Sequence, residues 1–184
     1  MTRSGFRAKW WLAICAVGVC GSLFAAGDQV RIIPAEELKL WWQSDPASPH
    51  SPLPYPTEAL KEGIEGCLAV AFEIHTNGGV SNERIWRDTL PQFGSSPFFD
   101  ARKALGQAAL LAVHRWHFIP APANKAHDSV YTYQIVTFTL TGSSPKWTDR
   151  DQHRHDELEA KCKVPDFTRE VEAMINTRQP GAHP

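Results

Sequence analysis

The sequence predicts an α+β domain with a three-stranded antiparallel sheet and two helices on one face. The order is helix, strand, strand, helix, strand, and a helical C-terminal tail follows. Three features predict it: an alternating stretch that contains a turn, an apolar stripe at helical spacing, and a run of β-branched and aromatic residues. Helices packed on one face of the sheet bury both apolar surfaces economically.

The first two strands are predicted from the stretch Gly66–Asp88. Its first half places Leu68, Val70, Phe72 and Ile74 at alternate positions, which is the period of a half-buried strand. Asn77-Gly78-Gly79 then supplies residues that accept positive φ, a strong short-range hairpin signal. We therefore expect a β-hairpin here, with one apolar face.

The remaining elements follow from local signals. Tyr55–Gly63 reads as a short helix with Pro56 in its first turn and Gly63 at its end. Ser96-Pro97 begins a second helix. Its predicted apolar stripe consists of Phe98, Ala101, Leu105, Ala108, Ala112 and Trp116. The third strand is predicted from Val130 to Leu140.

Composition limits the possible partners. The chain has 184 residues, of which 42% are hydrophobic and 21% charged, and its formal net charge is -1. This is ordinary globular composition for one domain with appended segments. A nucleic-acid partner is not expected, because phosphate binding requires a basic surface.

The N-terminus is predicted to direct export. Arg3, Arg7 and Lys9 precede the apolar run Trp10–Ala26, and Ala25-Ala26-Gly27 offers small residues at a possible cleavage site before Asp28. Residues 1–27 are therefore a cleaved signal peptide or a retained membrane anchor, and the run is at the lower length limit for spanning a bilayer. The rest of the chain is expected in the periplasm, soluble or tethered to the inner membrane.

In an exported chain the cysteines can be interpreted in two ways, and one of them is a disulfide bond. Cys15 and Cys20 lie inside the apolar run, which leaves Cys67 and Cys162 in an oxidising compartment. These two form a disulfide, or they are a buried thiol and a separate free thiol. A bridge would close a long loop and could stabilise the domain by about 4 kcal/mol.

Six short motifs in order resemble the C-terminal domain of TonB proteins, over about positions 52 to 141. Residues 28–51 would then be a proline-containing spacer and 142–184 a C-terminal extension. The motifs are Pro54-Tyr55-Pro56, Ala59-Leu60, Gly63-Ile64-Glu65-Gly66, Asn77-Gly78-Gly79-Val80, Phe99-Asp100-Ala101 and Trp116-His117-Phe118-Ile119-Pro120-Ala121.

The resemblance implies a periplasmic domain that binds outer-membrane receptors by taking their TonB-box peptide as an added strand. The third strand, at the edge of the predicted sheet, has the unpaired backbone groups for this. The candidate peptide-binding residues are Val130, Tyr131, Thr132, Tyr133, Gln134 and Ile135. Full TonB proteins are driven by an inner-membrane, proton-driven motor complex, and the resemblance also allows a homodimer.

Some features of the chain differ from those of an energy-transducing TonB protein. The spacer is short, the apolar run contains no histidine, and Glu83 stands where the family often has an apolar residue. Two functions therefore stay open. One is binding that supports energy-coupled transport, and the other is a periplasmic interaction or structural module without a motor.

No enzyme, cofactor or metal site is predicted. The chain has no phosphate-binding glycine loop, nucleophile elbow or zinc-protease motif. The pairs His153/His155 and His114/His117 lack the further ligands that a closed metal site needs. Cys67 has no basic partner that would make it a nucleophile.

The C-terminal extension is expected to contain a charged helix from Asp149 to Lys163. A second helix, from Asp166 to Asn176, would place Phe167, Val171, Met174 and Ile175 on one side. We expect it to dock on the domain near Cys162. Should it cover the third strand's edge, it would block peptide addition.

Overall fold

The computed structural model describes residues 30–48, 53–91, 96–140 and 148–177, with the backbone alone at 96–99 and 176–177. The predicted signal or anchor at 1–27 lies outside these ranges. No helix within them is long and apolar enough to cross a membrane. The strands are β1 Arg31–Ile32, β2 Trp42–Ser44, β3 Gly66–Ile74, β4 Val80–Asp88, β5 Phe118–Pro120 and β6 Val130–Phe138. The helices are a 3₁₀ turn Ala35–Glu37, α1 Leu38–Trp41, α2 Thr57–Lys61, α3 Ser96–His114, α4 Asp149–Cys162 and α5 Phe167–Thr177.

The predicted hairpin is confirmed, with antiparallel β3 and β4 joined by the Asn77–Gly79 turn. Gly78 has a φ of +83°, and a Cβ there would come within 1.9 Å of the Phe118 carbonyl oxygen. The Phe118 N–H in turn donates to the Gly78 carbonyl at 2.9 Å. The turn therefore requires glycine both for its backbone conformation and for its close approach to β5.

The main sheet has four described strands, in the order β1-β6-β3-β4, so the predicted count of three is wrong. The additional strand is β1, which pairs in parallel with the start of β6. Two residues are too few to show a strand period, which is why the sequence did not reveal it. As a result, β6 is a free sheet edge only beyond its pairing with β1.

The first face of the sheet carries the main core, and both predicted helices pack there. Leu68, Val70 and Phe72 of β3 are fully buried with Ala59 of α2. The α3 stripe consists of Ala101, Leu105, Ala109 and Val113, all 0% exposed. Its predicted phase was partly wrong, since Ala108 and Ala112 are only half-buried and Phe98 lies outside the described side chains. Alanines stand at 108 and 112, on the predicted stripe, and also at 109, on the observed one. Residue type therefore did not show which of the two helix faces is buried.

The second face is covered by the C-terminal extension, so β3 is buried on both sides rather than half-buried as predicted. Phe167 and Val171 of α5 pack with Ala69, Ala71 and Tyr133. The expected C-terminal helices are thus present as α4 and α5. They bury a face that the predicted fold left open to solvent.

A disulfide between Cys67 and Cys162 connects the start of β3 to the last residue of α4. Both cysteines are 0% exposed. Their separation of 95 residues means that the bridge closes most of the folded domain into one loop. It holds the extension against the second face.

The stretch expected to be a spacer contains β1, the 3₁₀ turn, α1 and β2 in its described part. Strand β2 pairs antiparallel with β5 in a separate two-stranded sheet. Trp42, only 1% exposed, is anchored in the main core, and its indole N–H donates to the Asp128 carbonyl at 3.1 Å. Residues 30–48 are therefore integrated into the domain.

The disulfide can be tested by intact mass with alkylation before and after reduction. The protein should take up no label at Cys67 and Cys162 until it is reduced. Cys162→Ala should lower the free energy of unfolding by about 2–4 kcal/mol, because the unfolded chain loses its long closed loop.

The matched control is the double variant Cys67→Ala/Cys162→Ala, which should be about as stable as the single variant. Alkylation of both cysteines in the unreduced protein would contradict the bridge.

Candidate edge site on β6

The candidate site is the side of β6 that faces away from β3, which we call the open edge. It begins where β1 ends and is defined by the backbone of Tyr133, Ile135 and Thr137. The first predicted binding residues, Val130 and Tyr131, instead pair with Arg31 and Ile32 of β1. The start of the predicted site is therefore occupied by β1 of the same chain.

The six predicted side chains divide between the two faces of the sheet. Val130, Thr132 and Gln134 point to the first face. Val130 and Thr132 are 0% exposed, and the Thr132 hydroxyl oxygen has no hydrogen-bond partner in the part of the chain that the structure describes. Gln134 is half-buried. Of these three, Gln134 alone reaches the margin of the open edge.

Tyr131, Tyr133 and Ile135 share the second face, as the alternation predicts, but they lie against the C-terminal extension. The Phe167 ring stacks on Tyr131, with centroids 5.9 Å apart, and lies 4.9 Å from the Tyr133 ring. The Tyr133 hydroxyl accepts a hydrogen bond from the Val164 N–H at 3.1 Å. Burial is the main cause that raises the pKa of Tyr133. These aromatic side chains hold α5 in place.

The orientation of the β6 backbone follows from its bonds to β1. The Arg31 N–H donates to the Ser129 carbonyl and the Ile33 N–H to the Tyr131 carbonyl, each at 3.0 Å. Peptide groups of alternate strand residues point to the same side. Ile135 and Thr137 therefore direct their N–H and C=O groups to the open edge, where no described strand lies beside them.

Two grooves flank the open edge, one on each face of the sheet. The first-face groove, about 420 Å³, is lined by Leu38, Trp42, Phe118 and Gln134 among others. The second-face groove, about 370 Å³, includes Tyr133, Ile135, Glu159 and Lys163. Ala35, Glu36 and Gln134 line both grooves. An added strand could place alternate side chains into the two grooves.

The opposite edge of the sheet, β4, is less suited to pairing. The ladder between β3 and β4 is interrupted by two register shifts, and Asn82 has a φ of +57°. Bulges of this kind twist an edge strand and interrupt its regular row of donors and acceptors. The Glu83 carboxylate lies 2.8 Å from the Nδ1 atom of His114. That pair gives the charged residue at this position a local role.

The histidines considered as metal ligands are accounted for by carboxylate neighbours. His117 lies 3.1 Å from Asp45, and His153 lies 3.4 Å from Glu157. Within residues 30–48, 53–91, 96–140 and 148–177, there is no group of three or more His, Cys, Asp or Glu placed to hold a metal ion.

Sequence reasoning missed several residues that shape the open edge: Thr137 on the strand, and Glu36, Trp42, Glu159 and Lys163 around it. Thr137 could have been found by continuing the alternation from Ile135. The others come from distant parts of the chain and carry no local signal of their position.

A small α+β domain with an open strand edge on β6 is the class that the fold and site of the described residues define. No family model matches the chain. Over 81 residues, or 43% of the chain, it is 33% identical to Protein tonB2 of Pseudomonas aeruginosa. The chain spans about a quarter of that relative, since the match covers 26% of it.

Solved structures of two TonB C-terminal domains also align. The Helicobacter pylori domain has 24% identity and a TM-score of 0.33, covering 50% of this chain and 74% of that one. The Pseudomonas aeruginosa domain has 19% identity and a TM-score of 0.33, covering 56% and 90% respectively. The sequence match to tonB2 confirms the predicted resemblance, and the chain is TonB C-terminal domain-like.

Docking of the extension can be tested with two variants of the same helix. Phe167 is 1% exposed among three aromatic rings, whereas Ile175 is 45% exposed. Phe167→Ala should lower the free energy of unfolding by about 3–5 kcal/mol, because it leaves a cavity in a packed site. Ile175→Ala should change it by less than about 0.5 kcal/mol.

The measurement is urea denaturation followed by tryptophan fluorescence, with the disulfide intact. Equal effects of the two substitutions would show that α5 is not packed on the second face as described.

Proposed function

We propose that this chain is a periplasmic, TonB-like protein that binds extended peptides of outer-membrane receptors by strand addition to β6. The observation that carries the proposal is the open edge, where Ile135 and Thr137 present peptide groups without a strand neighbour among the described residues. An extended peptide can satisfy those groups with its own backbone.

The surroundings of the open edge support a peptide ligand. Backbone pairing alone is nearly independent of sequence, so selectivity requires pockets for the peptide's alternate side chains. The two grooves supply such places on opposite faces. The first has the largely buried side chains of Leu38, Trp42 and Phe118 along its wall, and the second offers charges of both signs from Glu159 and Lys163.

The proposed site is shorter than the one expected from sequence. Tyr131 and Tyr133 pack on Phe167, and selection of the peptide by these tyrosines is therefore not part of the proposal. Residues of the two grooves take that role instead. Binding rather than catalysis also agrees with the similarity of the chain to Protein tonB2.

Whether binding is coupled to energy depends on residues 1–27. A retained anchor would allow contact with a proton-driven motor complex of the inner membrane. Removal as a signal peptide would leave a soluble periplasmic binding module. The integration of residues 30–48 into the domain favours a binding module without a motor, because a chain that spans the periplasm needs a long free arm between anchor and domain.

Peptide addition is tested by a substitution that removes a single edge donor. Ile135→Pro removes an N–H that points to the open edge and leaves the ladder to β3 intact. The full exported chain is titrated with a synthetic TonB-box peptide, and binding is followed by the amide NMR signals of β6.

We expect the Ile135→Pro variant to bind the peptide roughly five- to tenfold more weakly than its matched control, Ile135→Ala, which keeps the N–H. That ratio corresponds to the loss of about one hydrogen bond. Equal affinities of the two variants would place the peptide elsewhere, and no binding to the wild-type chain would refute the proposed function.

A further inference from the structure

The start of the β6 edge is already paired, and its occupant belongs to the same chain. Arg31 and Ile32 of β1 lie beside Val130 and Tyr131 in parallel register. Besides the ladder itself, the Arg31 N–H donates to the Ser129 carbonyl and the Ile33 N–H donates to the Tyr131 carbonyl. Pro34 follows and begins the 3₁₀ turn, so the paired segment ends there.

The side chains of this segment show what the edge accommodates. Ile33 is 3% exposed and belongs to the core of the first face. Its neighbour Ile32 packs on the second-face cluster with Tyr131 and Phe167. Two adjacent branched apolar residues therefore bind on opposite faces of the sheet, one on each side of the β6 backbone.

Among the described residues, few polar side-chain interactions attach β1 to the rest of the domain. The strand is two residues long, and the Arg31 guanidinium is 3.9 Å from an Asp128 carboxylate, with both side chains largely exposed. Exposed ion pairs of this kind contribute little to stability. The same guanidinium lies 4.2 Å from the centre of the Trp41 ring. A competing strand would have to replace the pairing with β6 and the packing of Ile32 and Ile33.

We propose that β1 is an internal copy of the ligand and that the incoming peptide replaces it. The inference rests on the proposed function and states the class of peptide. The ligand is an extended segment that runs parallel to β6 and carries two adjacent branched apolar residues, one for each face. With β1 displaced, the peptide pairs continuously from Ser129 to Thr137 instead of at the open edge alone.

The test weakens β1 without changing β6. Arg31→Pro removes the N–H that donates to Ser129, and Arg31→Ala keeps it. Both variants lose the side-chain contacts with Trp41 and Asp128, so they differ mainly in one backbone donor. Because Arg31 is exposed, both are expected to fold, which near-UV circular dichroism verifies.

Two synthetic peptides serve as probes: the TonB-box peptide, and a peptide with the chain's own sequence from Asp28 to Ala35. Each should bind the Arg31→Pro variant about fivefold more tightly than the Arg31→Ala variant, a difference of about 1 kcal/mol. Replacing both isoleucines of the second peptide by aspartate should abolish its binding. In the wild-type chain, saturating peptide should remove the hydrogen-exchange protection of the Ile33 amide.

The outcomes separate the two proposals. Equal affinities for the two Arg31 variants, with the Ile33 amide still protected in the complex, would overturn the replacement of β1 and leave strand addition standing. Failure of both peptides to bind any variant would overturn the proposed function, and the replacement of β1 with it.

Discussion

The constraint on which the structure depends is that β3 has to be covered on both faces. Its residues alternate between large apolar side chains such as Val70 and Phe72 and small ones such as Ala69 and Ala71, and all four are fully buried. Helices α2 and α3 cover the first set. The small side chains of Ala69 and Ala71 lie on the second face of the sheet, which needs a separate element to cover it. Helix α5 covers this face through Phe167.

Covering both faces leaves the strand edges as the surfaces where the sheet can meet a partner. The β4 edge is interrupted by its register shifts, and the start of β6 is paired with β1. The open edge at Ile135 and Thr137 is the part of β6 beyond its pairing with β1. The disulfide between Cys67 and Cys162 holds the extension on the second face, where Phe167 and Val171 pack with Tyr133. The extension therefore packs on a face of the sheet, against side chains of β3 and β6.

Sequence reasoning recovered the parts of the fold that have a local signal. The alternation from Leu68 to Ile74 and the turn at Gly78 defined the hairpin, and the apolar spacing defined α3 to within one residue of its buried stripe. The pairing of β1 and the contact of Phe167 with Tyr133 were not predicted. Both contacts join segments that are far apart in the chain. No period or motif within these segments indicates which other segment each one contacts. The pairing of β1 with Val130 and Tyr131, the first two of the predicted binding residues, had no local signal for the same reason.

The central claim is that β6 has an open edge beyond β1, and amide hydrogen exchange of the free protein tests it most directly. The N–H groups of Gln134 and Val136 point to β3, whereas those of Ile135 and Thr137 point outward. We predict slow exchange at the first pair and exchange at least about tenfold faster at the second pair, because an unpaired N–H is open to water. Uniformly slow exchange from Gln134 to Thr137 would show that another segment covers the edge, and would contradict the account.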